Sequence, residues 1–291
     1  MRVISLILMV LIFFTGCSNN TKVEEKDTFD IVTSFYPVYV FTKNITKDIP
    51  DVTVTNMSNE HSGCLHDYHL TTTDMKLIDD ADAFIINGAG LETFLEKAYS
   101  VQADLEVVDS SDGITLLSEK FSDEDNEHIW LSVSNAIEQV KNIGESLSKL
   151  DLEHEELYLA NTYEYVNRLE MLRNELRESM YQNTDIKMVT SHDAFPYFAE
   201  DFGFEVVSVI EKEEGASPTS REMQEIIDTI KENEIKAIFI EKDSSTKIAD
   251  TIATESGAKV YELDTVTSGD GRLTDYEDRM KENIKVIKES L

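Results

Sequence analysis

Residues 152–180 read LEHEELYLANTYEYVNRLEMLRNELRESM, with no glycine or proline to interrupt them. Leu152, Tyr158, Leu159, Tyr165, Val166, Leu169, Leu172, Leu176 and Met180 recur at intervals of three, four and seven, the spacing of one helical face. Asp151 stands in the position of an N-cap. Such a helix would run about 40 Å. The plain alternative is a core helix of one domain, but its flanks favour a bridge. On both sides short apolar runs alternate with amphipathic segments, the pattern of parallel sheets covered by helices. Strands are expected near residues 30–34, 52–56, 83–87 and 105–108, then near 187–190, 205–209, 237–240 and 259–263. The expected fold is α/β: two lobes, each a roughly four-stranded parallel sheet with flanking helices, bridged by one long rigid helix. The lobes would occupy residues 28–150 and 182–291, with the linking helix at 151–181. Only 4 Pro and 11 Gly imply short connections. No repeat at a fixed period is visible.

Charge narrows the function classes. Against 26 Lys+Arg stand 58 Asp+Glu, a net charge of −32 over 291 residues. Phosphate binding needs a basic face, so a nucleic-acid partner is excluded. The acidity does not mean disorder, because 41% of the residues are hydrophobic, enough for a core. The field would favour a cationic ligand, which is a direction rather than a site.

The first residues read as an address. One cation, Arg2, precedes an apolar run over residues 3–14, too short to span a bilayer and right for a secretory signal. Phe14-Thr15-Gly16-Cys17 resembles a bacterial lipobox, in which Cys17 is lipidated and becomes the first mature residue. The rival is an ordinary signal peptide with an incidental cysteine. Residues 1–16 would then be a lipoprotein signal peptide and 17–27 a polar tether. The expected location is the extracytoplasmic face of the bacterial cell membrane. An acidic body is repelled by anionic lipid, so the acyl chains must do the holding. With Cys17 lipidated, Cys64 is the only remaining thiol and no internal disulfide can form.

Six histidines remain to be placed. His154 sits among Glu153, Glu155 and Glu156 and is expected to be solvated. His192 follows the strand KMVT directly, at the carboxyl end where open α/β sheets bind ligands. Asp264 holds the equivalent place after residues 259–263. His66 follows the second strand after a loop. His128 follows the acidic stretch SDEDNE at 122–127, itself read as a solvated loop, and precedes a helix from Ser134. Three imidazoles and a carboxylate, two from each half, would suit zinc in tetrahedral N/O geometry. Spacing alone leaves open that they are unrelated surface or core histidines.

Longer motifs go further. His66-Asp67-Tyr68, Asp74, Leu77, Ala81-Asp82-Ala83 and Asn87-Gly88-Ala89-Gly90-Leu91-Glu92 resemble the first lobe of metal-binding lipoproteins of ABC importers, the cluster with zinc and manganese members. His128-Ile129-Trp130-Leu131 resembles that family's second histidine motif, and Ser191-His192-Asp193-Ala194-Phe195-Pro196-Tyr197-Phe198 the third. Phe239-Ile240-Glu241 and residues 252–261 resemble its C-terminal lobe. The resemblance implies a non-enzymatic monomer that carries a metal between its lobes to an ABC permease and its ATPase. It implies His66, His128, His192 and Asp264 as ligands; Glu241, directly after the strand at 237–240, reads as a supporting residue, or as the general base that a hydrolase would need. Manganese members usually place a carboxylate where this chain has His192, so zinc is expected and manganese or iron is the alternative. The chain departs from the family in writing Cys64-Leu65-His66 for the common Asp-Pro-His, and in carrying acids from Asp123 to Glu127 where many zinc members have a His-rich loop.

His61, Cys64 and His69 surround His66 and would be the ligands of any accessory metal site; the bland reading is a loop with exposed histidines. Two other function classes compete. A secreted zinc hydrolase would need an open metal position and a general base, yet no His-Glu-x-x-His helix or nucleophile elbow occurs. A surface adhesin would show exposed aromatic patches. For a carrier, a rigid bridge disfavours wide hinge closure. Ligating histidines must be neutral, so acid is expected to weaken binding.

Overall fold

The computed structural model describes residues 28–58, 65, 68–102, 104–120, 124–183, 185–211 and 216–291. The signal segment, the tether with Cys17, and His61, Cys64 and His66 lie outside the described residues.

The first sheet holds β1 (Phe29–Thr33), β2 (Val52–Asn56), β3 (Ala83–Ile86) and β4 (Val107–Asp109) in the order β2-β1-β3-β4, every pair parallel. All four residues of β3 are buried, as a strand covered on both faces requires. Parallel neighbours need crossovers. These are supplied by α1 (Tyr36–Ile45), α2 (Thr72–Asp80) and α3 (Leu95–Val101). The chain then runs through α4 (Val133–Leu150) and α5 (Glu155–Met180) into a second sheet. That sheet holds β5 (Lys187–Thr190), β6 (Glu205–Val209), β7 (Ala237–Glu241) and β8 (Lys259–Leu263), ordered β6-β5-β7-β8 and again parallel. Its helices are α6 (Pro196–Phe202), α7 (Ser220–Glu232), α8 (Lys247–Ser256) and α9 (Asp275–Ser290). The two sheets therefore repeat one topology without a repeat in sequence. A buried parallel strand asks only for branched and aromatic residues, and many sequences satisfy that.

Helix α5 is the bridge, 26 residues and about 39 Å long. It begins later than its apolar pattern. Asp151 closes α4 instead of opening α5, and a turn separates them. The Asp151 carboxylate accepts from the His154 ring (2.7 Å) and the Tyr158 hydroxyl (2.9 Å). His154 is thus packed, with its side chain only 13% exposed, where the sequence suggested a solvated residue. Tyr158, Thr162, Tyr165, Val166, Leu169, Leu172, Leu176 and Met180 form the buried stripe. Leu152 and Leu159 lie outside it, exposed. Helix α4 packs on α5 closely enough that a Cβ at Gly144 would stand 1.9 Å from the Thr162 hydroxyl.

One apolar cluster runs from the first sheet through α1, α4 and α5 to the inner side of the second sheet and α9, joining Phe41, Trp130, Tyr165, Leu169, Phe198 and Tyr276. A smaller cluster lies under α7 and α8. Among the described residues no helix is long and apolar enough to cross a membrane.

Candidate metal centre

In each sheet the strand order reverses beside the first strand, so a crevice opens at the carboxyl ends of β1/β3 and of β5/β7. His192 lies two residues beyond β5 in the second crevice, and the preceding Ser191 N–H donates to Phe239 O on β7. His128 approaches from the other half. It precedes a short 3-10 turn, Ile129–Leu131, that leads into α4.

The two rings meet. Nε2 of His192 lies 3.3 Å from Nε2 of His128, with ring centroids 5.0 Å apart and planes at 72°. Two nitrogens bound to one tetrahedral zinc at about 2.0–2.1 Å would stand about 3.3–3.4 Å apart. His128 is fully buried and His192 half-buried, so the pair has a protein side and an open side. Among the described residues no group of three or more potential ligands is gathered at one point.

The turn that carries His128 is fastened from several directions. Trp130 Nε1 donates to Thr265 O (2.9 Å), and the Tyr276 hydroxyl donates to Trp130 O (2.8 Å). Phe35 meets the Trp130 ring edge-on at 4.8 Å. Ser132 caps α4 and donates its hydroxyl to Asp201, whose carboxylate also accepts from Ser134 and Arg177.

Just upstream, an antiparallel bridge between Ser118 and Asp125 joins residues 117–120 to 124–126; Glu124 and Asp125 are exposed, as a solvated loop would have them, while Asn126 and Glu127 are buried. Leu117, Lys120 and Asn126 of this segment reach the second half. Lys120 N–H donates to Asp193 Oδ2 (2.8 Å) and Lys120 Nζ to Val206 O (2.6 Å). The Tyr197 hydroxyl accepts from Leu117 N–H and donates to Asn126 O. Burial pushes that phenol up to about 12, so it stays a neutral donor. Asn126, fully buried, faces His128.

On the first-sheet side, Asn87 Nδ2 donates to Glu127 O, the carbonyl directly before His128. Gln139 in turn donates to Asn87 Oδ1. Glu92 accepts from Ser34 Oγ (2.7 Å), Asn87 N–H (2.8 Å) and Gly88 N–H (3.1 Å). Burial raises this carboxyl to about 7. The motif from Asn87 to Glu92 is therefore a scaffold behind the histidine. Near the first histidine motif, Asp74 closes a capping box on Thr71 and accepts from the Tyr68 hydroxyl (2.9 Å). Tyr68 stacks edge-on against Phe94.

The remaining sequence candidates fall as follows. Asp264 lies just after β8, but both its oxygens accept from Arg279 Nη1 (2.9 and 2.8 Å), while Val266 N–H and Lys242 Nζ approach at 2.8 and 3.3 Å. Glu241 ends β7, and its N–H donates to Ser191 Oγ (3.3 Å), one residue from His192. His69 is exposed. The sequence reading passed over Asn126, Asp201 and Arg279. Only Asn126 carried a signal, as the one amide in the otherwise charged or hydroxylated run SDEDNE.

Two parallel sheets joined by one helix, with facing imidazoles between them, define a metal-binding substrate-binding protein of an ABC importer. Residues 31–290 match the family described as "ZnuA: Zinc-uptake complex component A periplasmic", and the chain belongs to it. It is 32% identical over 286 residues to the high-affinity zinc uptake system protein ZnuA of Bacillus subtilis, covering 91% of this chain and 88% of that one. It is 28% identical to the manganese-binding lipoprotein MntA of Halalkalibacterium halodurans, over 96% and 94% of the two chains. Among solved structures it superposes with a TM-score of 0.79 on the laminin binding protein Lmb of Streptococcus agalactiae, described as bifunctional with adhesin and metal transporting activity. That match has 29% identity over 90% of this chain and 99% of the other. The chain is a transport-family protein and not an enzyme.

Proposed function

We propose that this protein is an extracytoplasmic lipoprotein, anchored through Cys17, that captures zinc between its two sheets and delivers it to an ABC permease and its ATPase. The observation that carries this is the 3.3 Å approach of the His128 and His192 Nε2 atoms at a sheet switch point. His66 is the third ligand. Imidazole in place of a carboxylate at His192 supports zinc over manganese, since the harder ion prefers oxygen. Asp264 completes the set by exchanging Arg279 for the ion, and Glu241 supports the loop of His192. A second reading rests on the donors already held by Asp264: it stays as an anchor and water takes the fourth position.

Metal analysis of protein purified without added metal, followed by manganese competition, tests the cargo. Zinc retained against excess manganese is expected; preferential retention of manganese overturns the assignment. His128→Ala and His192→Ala should each abolish tight binding while leaving a cooperative melt. Asp264→Ala separates the two readings of that residue. A ligand loses zinc affinity, whereas an anchor loses melting temperature with affinity unchanged.

A further inference from the structure

We infer that Asn126 is the positioning residue of the metal pair: its side chain fixes the tautomer of His128 and ties that ring to the backbone beside His192. The inference rests on the zinc reading above for its consequence, though its geometry stands by itself.

The orientation of the Asn126 amide follows from its neighbours. Nδ2 lies 2.7 Å from the carbonyl oxygen of Asp193, which can only accept. Oδ1 lies 3.1 Å from the backbone N–H of His128, which can only donate. Both contacts demand the same orientation. The same Oδ1 lies 3.3 Å from Nδ1 of His128. An amide oxygen only accepts, so Nδ1 carries the ring proton. Nε2 of His128, the atom facing His192, is then left with its lone pair outward, the state a metal needs.

The other half of the amide makes a second connection. Asp193 adjoins His192 in the chain, and its carbonyl holds Nδ2. One buried side chain therefore links a loop from the first half to the loop that carries the opposite ligand. Tyr197, bonded to Asn126 O, and Lys120, bonded to the Asp193 carboxylate, keep the two segments in place around it. Burial leaves the amide no water to turn to.

Asn126→Asp keeps the acceptor for Nδ1 and loses the donor to Asp193. Asn126→Leu loses both at similar volume. The full chain in detergent is compared with both variants by two measurements. The first is the imidazole nitrogen NMR signature of metal-free protein at alkaline pH; the second is zinc affinity. The unsubstituted protein should show His128 protonated on Nδ1, and Asn126→Asp should retain this. Asn126→Leu should admit the Nε2–H form and bind zinc about 10- to 100-fold more weakly, the usual effect of losing such a support. Asn126→Asp should fall between. An Nε2–H tautomer in the unsubstituted protein overturns the inference, as does Asn126→Leu binding within twofold of it. If the leucine variant does not fold, the unsubstituted spectrum and the aspartate variant decide. Failure of the unsubstituted protein to bind zinc counts against the proposed function, while the metal-free spectrum still reports what Asn126 does to the ring.

Discussion

Glu92 shows how a single residue supports a site it never touches. Its carboxyl is fully buried, takes three donors, and is raised from its ordinary value of 4.5 to about 7. The native state therefore keeps a proton that the unfolded chain releases. Its contribution to stability is largest below pH 4.5 and is lost as pH rises toward 7, by roughly 3 kcal/mol at most. Asn87 and Gly88 aim N–H groups at both oxygens, so Glu92→Gln should cost about 1 kcal/mol at acid pH by turning one amide N–H against another. It should also remove the pH slope. Melting of both proteins between pH 5 and 8 checks this: the gap should close or invert as pH rises, and parallel curves would show that Glu92 titrates as an ordinary acid. The sequence displayed Glu92 and Asn87 as parts of a motif. Their roles were illegible because burial and donor direction are tertiary quantities.

At the scale of elements, strands were the most legible. β2, β5, β6 and β8 begin and end at the residues expected from the sequence, because a short run rich in branched and apolar residues carries its own strand signal. The bridge was legible in its body and not at its start. Asp151 is a good N-cap by type, but its carboxylate is taken by His154 and Tyr158 and the helix begins four residues later. The acidic run was least legible. Six residues of that composition read as solvated, yet Asn126 within them is buried by contacts with Tyr197 and Asp193, far along the chain. The contact between α4 and α5 gives a direct test. Gly144→Ala should destabilise the protein by about 1–3 kcal/mol, because backbone spacing was set for a residue without Cβ. Thr162→Ala in the same chain should recover part of the loss, since it removes the atom 1.9 Å away. A single variant that melts with the parent would mean the helices part freely.

At the scale of the molecule, the halves are fastened on both sides of the metal pair. On one side Lys120 and Asn126 bind Asp193 in the loop after β5, and Lys120 also binds Val206 of β6. On the other, Lys43 and Asn44 of α1 donate to Gly271 O and Leu273 O, while the Tyr36 hydroxyl donates to Asp275. Arg168 of the bridge adds an ion pair with Glu277. A continuous core lies between these contacts. Wide closure would have to break the core and both sets of bonds, so small-angle scattering profiles with and without zinc should superimpose. A clear fall in radius of gyration on metal addition would refute this rigidity. The net charge of −32 takes on a plainer meaning here. Many of the acids lie on exposed helix faces, such as Glu225 and Asp228 on α7, where they serve solubility. The proposed cargo is selected by neutral imidazoles.

The order of the strands, the bridging helix, and His128 and His192 as metal candidates were legible in the sequence, the histidines through the motifs around them rather than through their spacing. Composition and period are local properties, and a motif survives in one dimension. The tertiary structure decided that the two imidazoles face one another, that an amide in an acidic run holds one of them, and that Asp264 is bonded to Arg279. It also decided that the two sheets share one core. Each of these depends on which distant groups burial brings within hydrogen-bond range, and no local pattern encodes that.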